Sequence, residues 1–176
     1  MQQFSYTDET DRVYGAAGMA IGLMIFDGDE MLYSIDLDRP AAGGEMLELS
    51  PEFYFAGNPG ASAKSAWNLM LRNYNLGISM ILANILCRQL VHHRTHLSDS
   101  QASRLREFAR QEGLHNCSLD TDESDRIFDK SFAYLSRVFS HRSVQAVARD
   151  FASTLTARRH LSRLDTLELL QSLRHL

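Results

Sequence analysis

Cysteine is nearly absent from this 176-residue chain, which holds only Cys87 and Cys117. Two are too few for a disulfide framework, so free thiols in a reducing cytoplasm are expected. Proline occurs three times, and the long run from Ala61 to His96 contains none, which leaves it free to be helical. Lysine is rare, since sixteen of the eighteen basic residues are arginine. That bias suits phosphate or carboxylate recognition; a coding preference explains it equally well. The opening MQQFSYTDETDR carries acids where a signal peptide carries bases, and no lipidation or transmembrane signal appears. The G-x-S-x-G elbow, P-loop, G-x-G-x-x-G and HExxH patterns are all missing, which removes the commonest catalytic and nucleotide-binding signatures.

The charge that is present is unevenly placed. The chain has a net charge of −4, but residues 1–56 hold eleven acidic and two basic side chains, whereas residues 137–176 hold seven arginines and three acids. Such a gradient fits a basic segment that meets nucleic acid, or two ends that attract one another.

The Ala61–His96 run is the organising stretch. Trp67, Leu71, Tyr74, Ile78, Ile81 and Ile85 recur at steps of three and four, and Leu82, Leu86 and Leu90 add a second row. A helix apolar over so much of its circumference is buried by several neighbours. The apolar part, Leu76 to Val91, falls short of the ~20 residues a bilayer requires, and Asn84, Arg88 and Gln89 interrupt it. It is therefore expected to be the core helix of a soluble bundle, with no membrane role. Asn58-Pro59-Gly60 breaks the chain ahead of it, and Ser62 suits an N-cap. Gly77 marks a kink or a close helix crossing.

Residues 1–16 look like a polar lead-in. Gly18–Phe26 is a continuous apolar run that fits a buried strand, and Met31–Leu37 alternates, so the two suggest a hairpin about Asp27-Gly28-Asp29. Arg39-Pro40 and Gly43-Gly44 then break the chain. Met46–Leu49 and Phe53-Tyr54-Phe55 add one or two short strands. After the long helix, Ser98-x-x-Gln101 opens a second helix and Gly113 stops it. Asp120–Asp125 opens a third, Ser143 a fourth, and Ser162 or Asp165 a Leu-rich fifth. The expected architecture is one α+β domain over residues 1–176. A small N-terminal antiparallel β-meander (1–57) packs on a helical part (58–176) of about five helices around a long central helix.

Three site readings follow. His92 and His96 stand one helical turn apart, a ligand spacing for zinc or a similar metal. An antiparallel bundle would return His141 to the same level, with Asp99 a further candidate there, giving a divalent-metal site of His92, His96 and His141. Imidazolium is also favoured at a helix C-terminus without any metal. Cys117 lies beside His115, a neighbourhood that can activate a thiol, although Cys87 sits in an apolar helix where thiols are inert. Within residues 144–164, V-A-R-D-F followed by T-A-R-R-H-L-S-R-L resembles the rhythm of a helix-turn-helix. Arg158, Arg159, His160 and Arg163 would then contact phosphates or base edges. The turn lacks the usual glycine, and Arg158 falls where a buried aliphatic belongs. One continuous helix, its arginines solvated or paired with the acidic N-terminal third, is the alternative.

The function expected from these features is that of a soluble cytoplasmic, non-enzymatic protein needing no cofactor. It would act through protein–protein contact or as a homo-oligomer, with Leu161, Leu164, Leu167, Leu170 and Leu173 as a sticky face. A DNA-binding regulator using 144–164 and a metal-dependent enzyme at the histidine end of the bundle are the alternatives.

Overall fold

The computed structural model describes residues 5–39, 46–54 and 62–175. It is an α+β fold in which a small antiparallel sheet accompanies a mostly helical body. The Pro40, Gly43-Gly44, Phe55 and Asn58-Pro59-Gly60 features, and the 57/58 boundary, lie outside the described residues.

The first element departs from the sequence expectation. Helix α1 runs Glu9–Ile25, so the second half of the supposed lead-in and nearly all of the supposed strand at Gly18–Phe26 are one helix. Asp8 caps it, accepting a hydrogen bond from the Asp11 N–H at 2.8 Å. Alanine and glycine dominate the middle of α1, and they are small enough to be buried on every side. A helix of this kind shows no amphipathic period, so periodicity cannot separate it from a strand.

The sheet has three strands in the order β2-β1-β3. Strand β1 is Leu32–Asp36 and β2 is Leu47–Leu49. The third strand, β3, is His160–Ser162 and comes from the C-terminal part of the chain, pairing Ile35 with Leu161. No hairpin therefore joins Gly18–Phe26 to Met31–Leu37; Asp27, at φ 53°, instead turns the chain out of α1. Phe53 and Tyr54 belong to a short 3-10 turn, Pro51–Tyr54.

The central rod is present. Helix α2 spans Ala63–Leu86 behind the Ser62 N-cap, and seven further residues, Cys87–His93, continue it as a π-helical turn. By length and composition Lys64–His93 could cross a membrane, but 72% of its most apolar window is buried within the fold. Ile78 and Ile85 are buried, whereas Trp67 is 42% exposed. Its indole N–H reaches the Cys117 carbonyl at 3.3 Å instead of entering the core.

Helices α3 (Asp99–Cys117) and α4 (Thr121–Ser140) begin at capping boxes, Ser98/Gln101 and Asp120/Glu123. Gly113 does not stop α3. A side chain there would meet the Ser124 hydroxyl at 2.6 Å and the Tyr74 hydroxyl at 3.0 Å, so it permits α3 to approach its neighbours. The left-handed residue that ends α3 is Ser118. Helix α5 is Arg142–Arg158, with His141 rather than Ser143 at its N-cap. Helix α6 is short, Arg163–Leu169, capped by Ser162 and Asp165, and a 3-10 turn Gln171–His175 follows.

The core lies where α1 crosses α2 and its π turn, and α5 packs on α1 and on the π turn as well. Gly18 sets that crossing: a Cβ there would sit 2.3 Å from the Ala83 carbonyl oxygen and 2.7 Å from the Cys87 Cβ. No residue with a side chain fits at that distance without a shift.

Candidate functional site

The functional geometry gathers where the central rod ends. In an α-helix, residues five apart are turned ~140° from one another. In the π turn Cys87–His93 the bonding is i→i+5, so Arg88 and His93 come to one side. That side faces α1 and the Asp11 carboxylate.

Asp11 is fully buried. Arg88 donates from Nε to Oδ1 at 2.8 Å and from Nη2 to Oδ2 at 2.5 Å. His93 Nε2 lies 3.1 Å from Oδ1, and the Thr7 N–H donates to Oδ2 at 3.0 Å. A carboxylate only accepts, so His93 carries its proton on Nε2. Burial by itself pushes the Asp11 carboxyl up. The hydrogen bonds from Arg88, Thr7 and His93 outweigh that and hold it at about 2. Arg88 also lies 4.7 Å over the Tyr6 ring and donates to the Ser5 carbonyl at 2.9 Å. Asn84 completes the cluster, its amide donating to the Tyr6 hydroxyl at 2.8 Å.

His92 faces α1 as well, beside His93. It stacks on Tyr14 of α1, with centroids 4.7 Å apart and planes 16° from parallel, and its ring touches that of His93. Burial raises the Tyr14 hydroxyl above its ordinary value, although Arg149 and Arg94 pull it down. Those two arginines belong to the next feature.

A cleft of about 680 Å³ opens between the end of the rod and the α4–α5 corner, lined by Leu90, Arg94, Thr95, His96, Ser140, Arg142, Gln145 and Arg149. Among the described residues no carboxylate lines it. Among the described residues, none of Arg94, Arg142 and Arg149 forms an ion pair. Arg94 is held by its own backbone: it ends the π turn at φ 56°, in the left-handed region. Arg142 and Arg149 occupy the first and third turns of α5. The α5 N-cap, His141, gives no side-chain bond to the backbone N–H groups of the first turn; its Nδ1 instead meets the Ser143 hydroxyl at 2.7 Å. The first N–H groups of α5 thus add a partial positive charge beside the arginines.

The expected metal set of His92, His96 and His141 does not assemble. Among the described residues, the ligand-type atoms of three side chains that lie within 4.8 Å of one another are those of Asp11, His92 and His93. The spacing argument assumed that the helix continues to His96, but it stops at Arg94. His96 faces the arginine cleft with Ser140, and His141 bonds Ser143. Asp99 is the first residue of α3. The Asp11 group is itself a poor cation site: two donors from Arg88, one from His93 and one from Thr7 fill the four lone-pair positions of the carboxylate.

The helix-turn-helix geometry is also not formed. Residues 152–154 lie inside α5, and a strand, β3, separates α5 from α6. Arg158 pairs with Asp165 at 2.7 Å, and Arg159 with both Glu9 and Asp38 at 2.7 Å. His160 pairs with Asp36 in the sheet register, and the Nε of Arg163 is buried without a hydrogen-bond partner among the described residues. Cys87 and Cys117 are buried, and burial raises both thiols, so neither is an activated nucleophile.

The chain matches no protein-family model, no curated protein and no solved structure.

Proposed function

We propose that this is a soluble, cytoplasmic, non-catalytic binding protein whose ligand is a small phosphate-bearing anion held in the arginine cleft. The observation that carries the reading is the convergence of Arg94, Arg142 and Arg149 on one cleft without a neutralising carboxylate among its lining residues. Three guanidinium groups that repel one another are stabilised when an anion joins them, and their fork geometry matches phosphate oxygens. His96 adds a ring N–H to the same wall, whereas the Thr95 and Ser140 hydroxyls already donate, to Gln89 Oε1 at 2.8 Å and to the Ser136 carbonyl at 2.7 Å. The cleft volume suits a small molecule. Its lining offers one apolar side chain, Leu90, and no aromatic ring other than His96, so a hydrophilic phosphate ester fits better than a nucleobase. Buried, unactivated thiols and a saturated Asp11 support a binding role over a catalytic one. Free thiols also suit a reducing compartment.

The test is the melting temperature in inorganic pyrophosphate against sodium chloride at matched ionic strength. A ligand that binds only the folded state raises the melting temperature as its concentration exceeds Kd. Equal melting temperatures in the two salts would refute the reading.

A second reading, self-association, is supported by Trp67 and Leu114, 42% and 66% exposed. The two lie near each other, because the Trp67 indole bonds Cys117, one turn along α3 from Leu114. A sedimentation mass that stays monomeric at high protein concentration would exclude it.

A further inference from the structure

A second cleft, of about 530 Å³, lies along the rod between Met70 and Ile81, among the Pro51–Tyr54 turn, α2 and α3. We propose that it binds an organic ammonium: a protonated amine on an aromatic or aliphatic body. The inference is independent of the arginine cleft.

The walls are aromatic and aliphatic, with Phe53, Tyr54, Phe108, Ile78 and Ile81 among them. Phe53 and Tyr54 meet edge to face, 5.3 Å between centroids. Their polar complement is one-sided. Asn73 is 8% exposed, and its amide N–H donates to the Glu52 carbonyl at 2.8 Å. Its Oδ1 is buried and has no donor among the described residues. Glu112 accepts from the Asn116 amide at 2.9 Å and pairs with no arginine or lysine among the described residues. Among the described residues no lysine or arginine lines the cleft, and the one basic side chain there is the exposed His115. The Tyr74 hydroxyl is already engaged, donating to the Ala109 carbonyl at 2.8 Å.

The Glu112 carboxylate, which pairs with no cation among the described residues, is relieved by N–H donors that carry positive charge. Aromatic faces attract the same cation. An anion would be repelled by Glu112, and a plain hydrocarbon would leave Glu112 as it is. Gly77 keeps the space open. The sequence suggests a kink or a tight crossing there, but a Cβ on Gly77 would meet nothing nearer than the Phe53 ring at 3.7 Å.

The experiment is equilibrium titration at pH 8 with 2-phenylethylamine, which remains cationic while histidine is neutral. Its neutral and anionic counterparts, 2-phenylethanol and 3-phenylpropionate, are titrated alongside. The amine is expected to saturate, and to bind at least tenfold more tightly than either counterpart. Glu112→Gln, which keeps the bond with Asn116, should remove that preference. Gly77→Leu, a change that favours the helix, should block all three. The proposal is overturned by equal binding of the three compounds, by an amine preference that survives Glu112→Gln, or by no saturation up to ~10 mM.

Discussion

Arg88 grips Asp11 through two parallel hydrogen bonds, 2.8 and 2.5 Å long, across the crossing of the central rod and α1. Both side chains are buried, at 8% and 0% exposure. The pair fixes the level at which the two helices meet, and through the π turn it also fixes where His92, His93 and Arg94 point. Removing one partner leaves the other buried and uncompensated, which costs about 3–5 kcal/mol. Arg88→Met and Asp11→Asn are each expected to destabilise by that order in urea denaturation. The double variant should lose less than the two single losses added together. Strict additivity would show that the two charges do not interact.

Acid dependence follows from the same pair. The Asp11 carboxyl is held at about 2 in the folded protein, against 3.8 ordinarily. A depressed carboxyl stabilises fully above its unfolded value, and the contribution is lost as pH falls through the folded value. The stability difference between the wild type and Asp11→Asn should therefore be constant from pH 7 to about 5, then shrink between about 4 and 2. Denaturation midpoints of both proteins across that range check this. A gap that widens in acid would have the wrong sign.

Gly18→Ala offers a test whose sign is unusual. In an exposed helix the change would stabilise by about 1 kcal/mol. Here the added Cβ would fall 2.3 Å from the Ala83 carbonyl oxygen. The expected outcome is a loss of about 1–3 kcal/mol, as for other overpacked cores. A raised melting temperature would mean that α1 and α2 are further apart than described.

Much of the helical scaffold was legible because it is written in local chemistry. Ser62, Ser98 with Gln101, the Asp120 opening and Ser162 are helix starts that the sequence exposes directly, and each caps its helix, whereas Ser143 does not, since His141 takes that place. Helix α1 was hidden because Gly15, Ala16, Ala17, Gly18 and Ala20 are buried all round and leave no period to detect. Asp8 at its start was the available signal. Strand β3 was hidden because three residues, His160–Ser162, are too few to alternate visibly. The candidate site depends on a change of helical pitch at Cys87 and on arginines far apart in sequence. A 3.6-residue period carried through to His96 put the histidines on the wrong face. The acidic beginning and basic end do meet, through Arg159 with Glu9 and Asp38.

The anion cleft is tested most directly by calorimetric titration of inorganic pyrophosphate at low ionic strength. Three proteins should be compared: the wild type, the Arg142→Ala/Arg149→Ala double variant, and Arg158→Ala, whose arginine pairs with Asp165 outside the cleft. Binding should be saturable in the wild type, unchanged in Arg158→Ala, and at least tenfold weaker in the double variant, with all three still folded. Equal binding by the wild type and the double variant, or none in any of the three, would contradict the account.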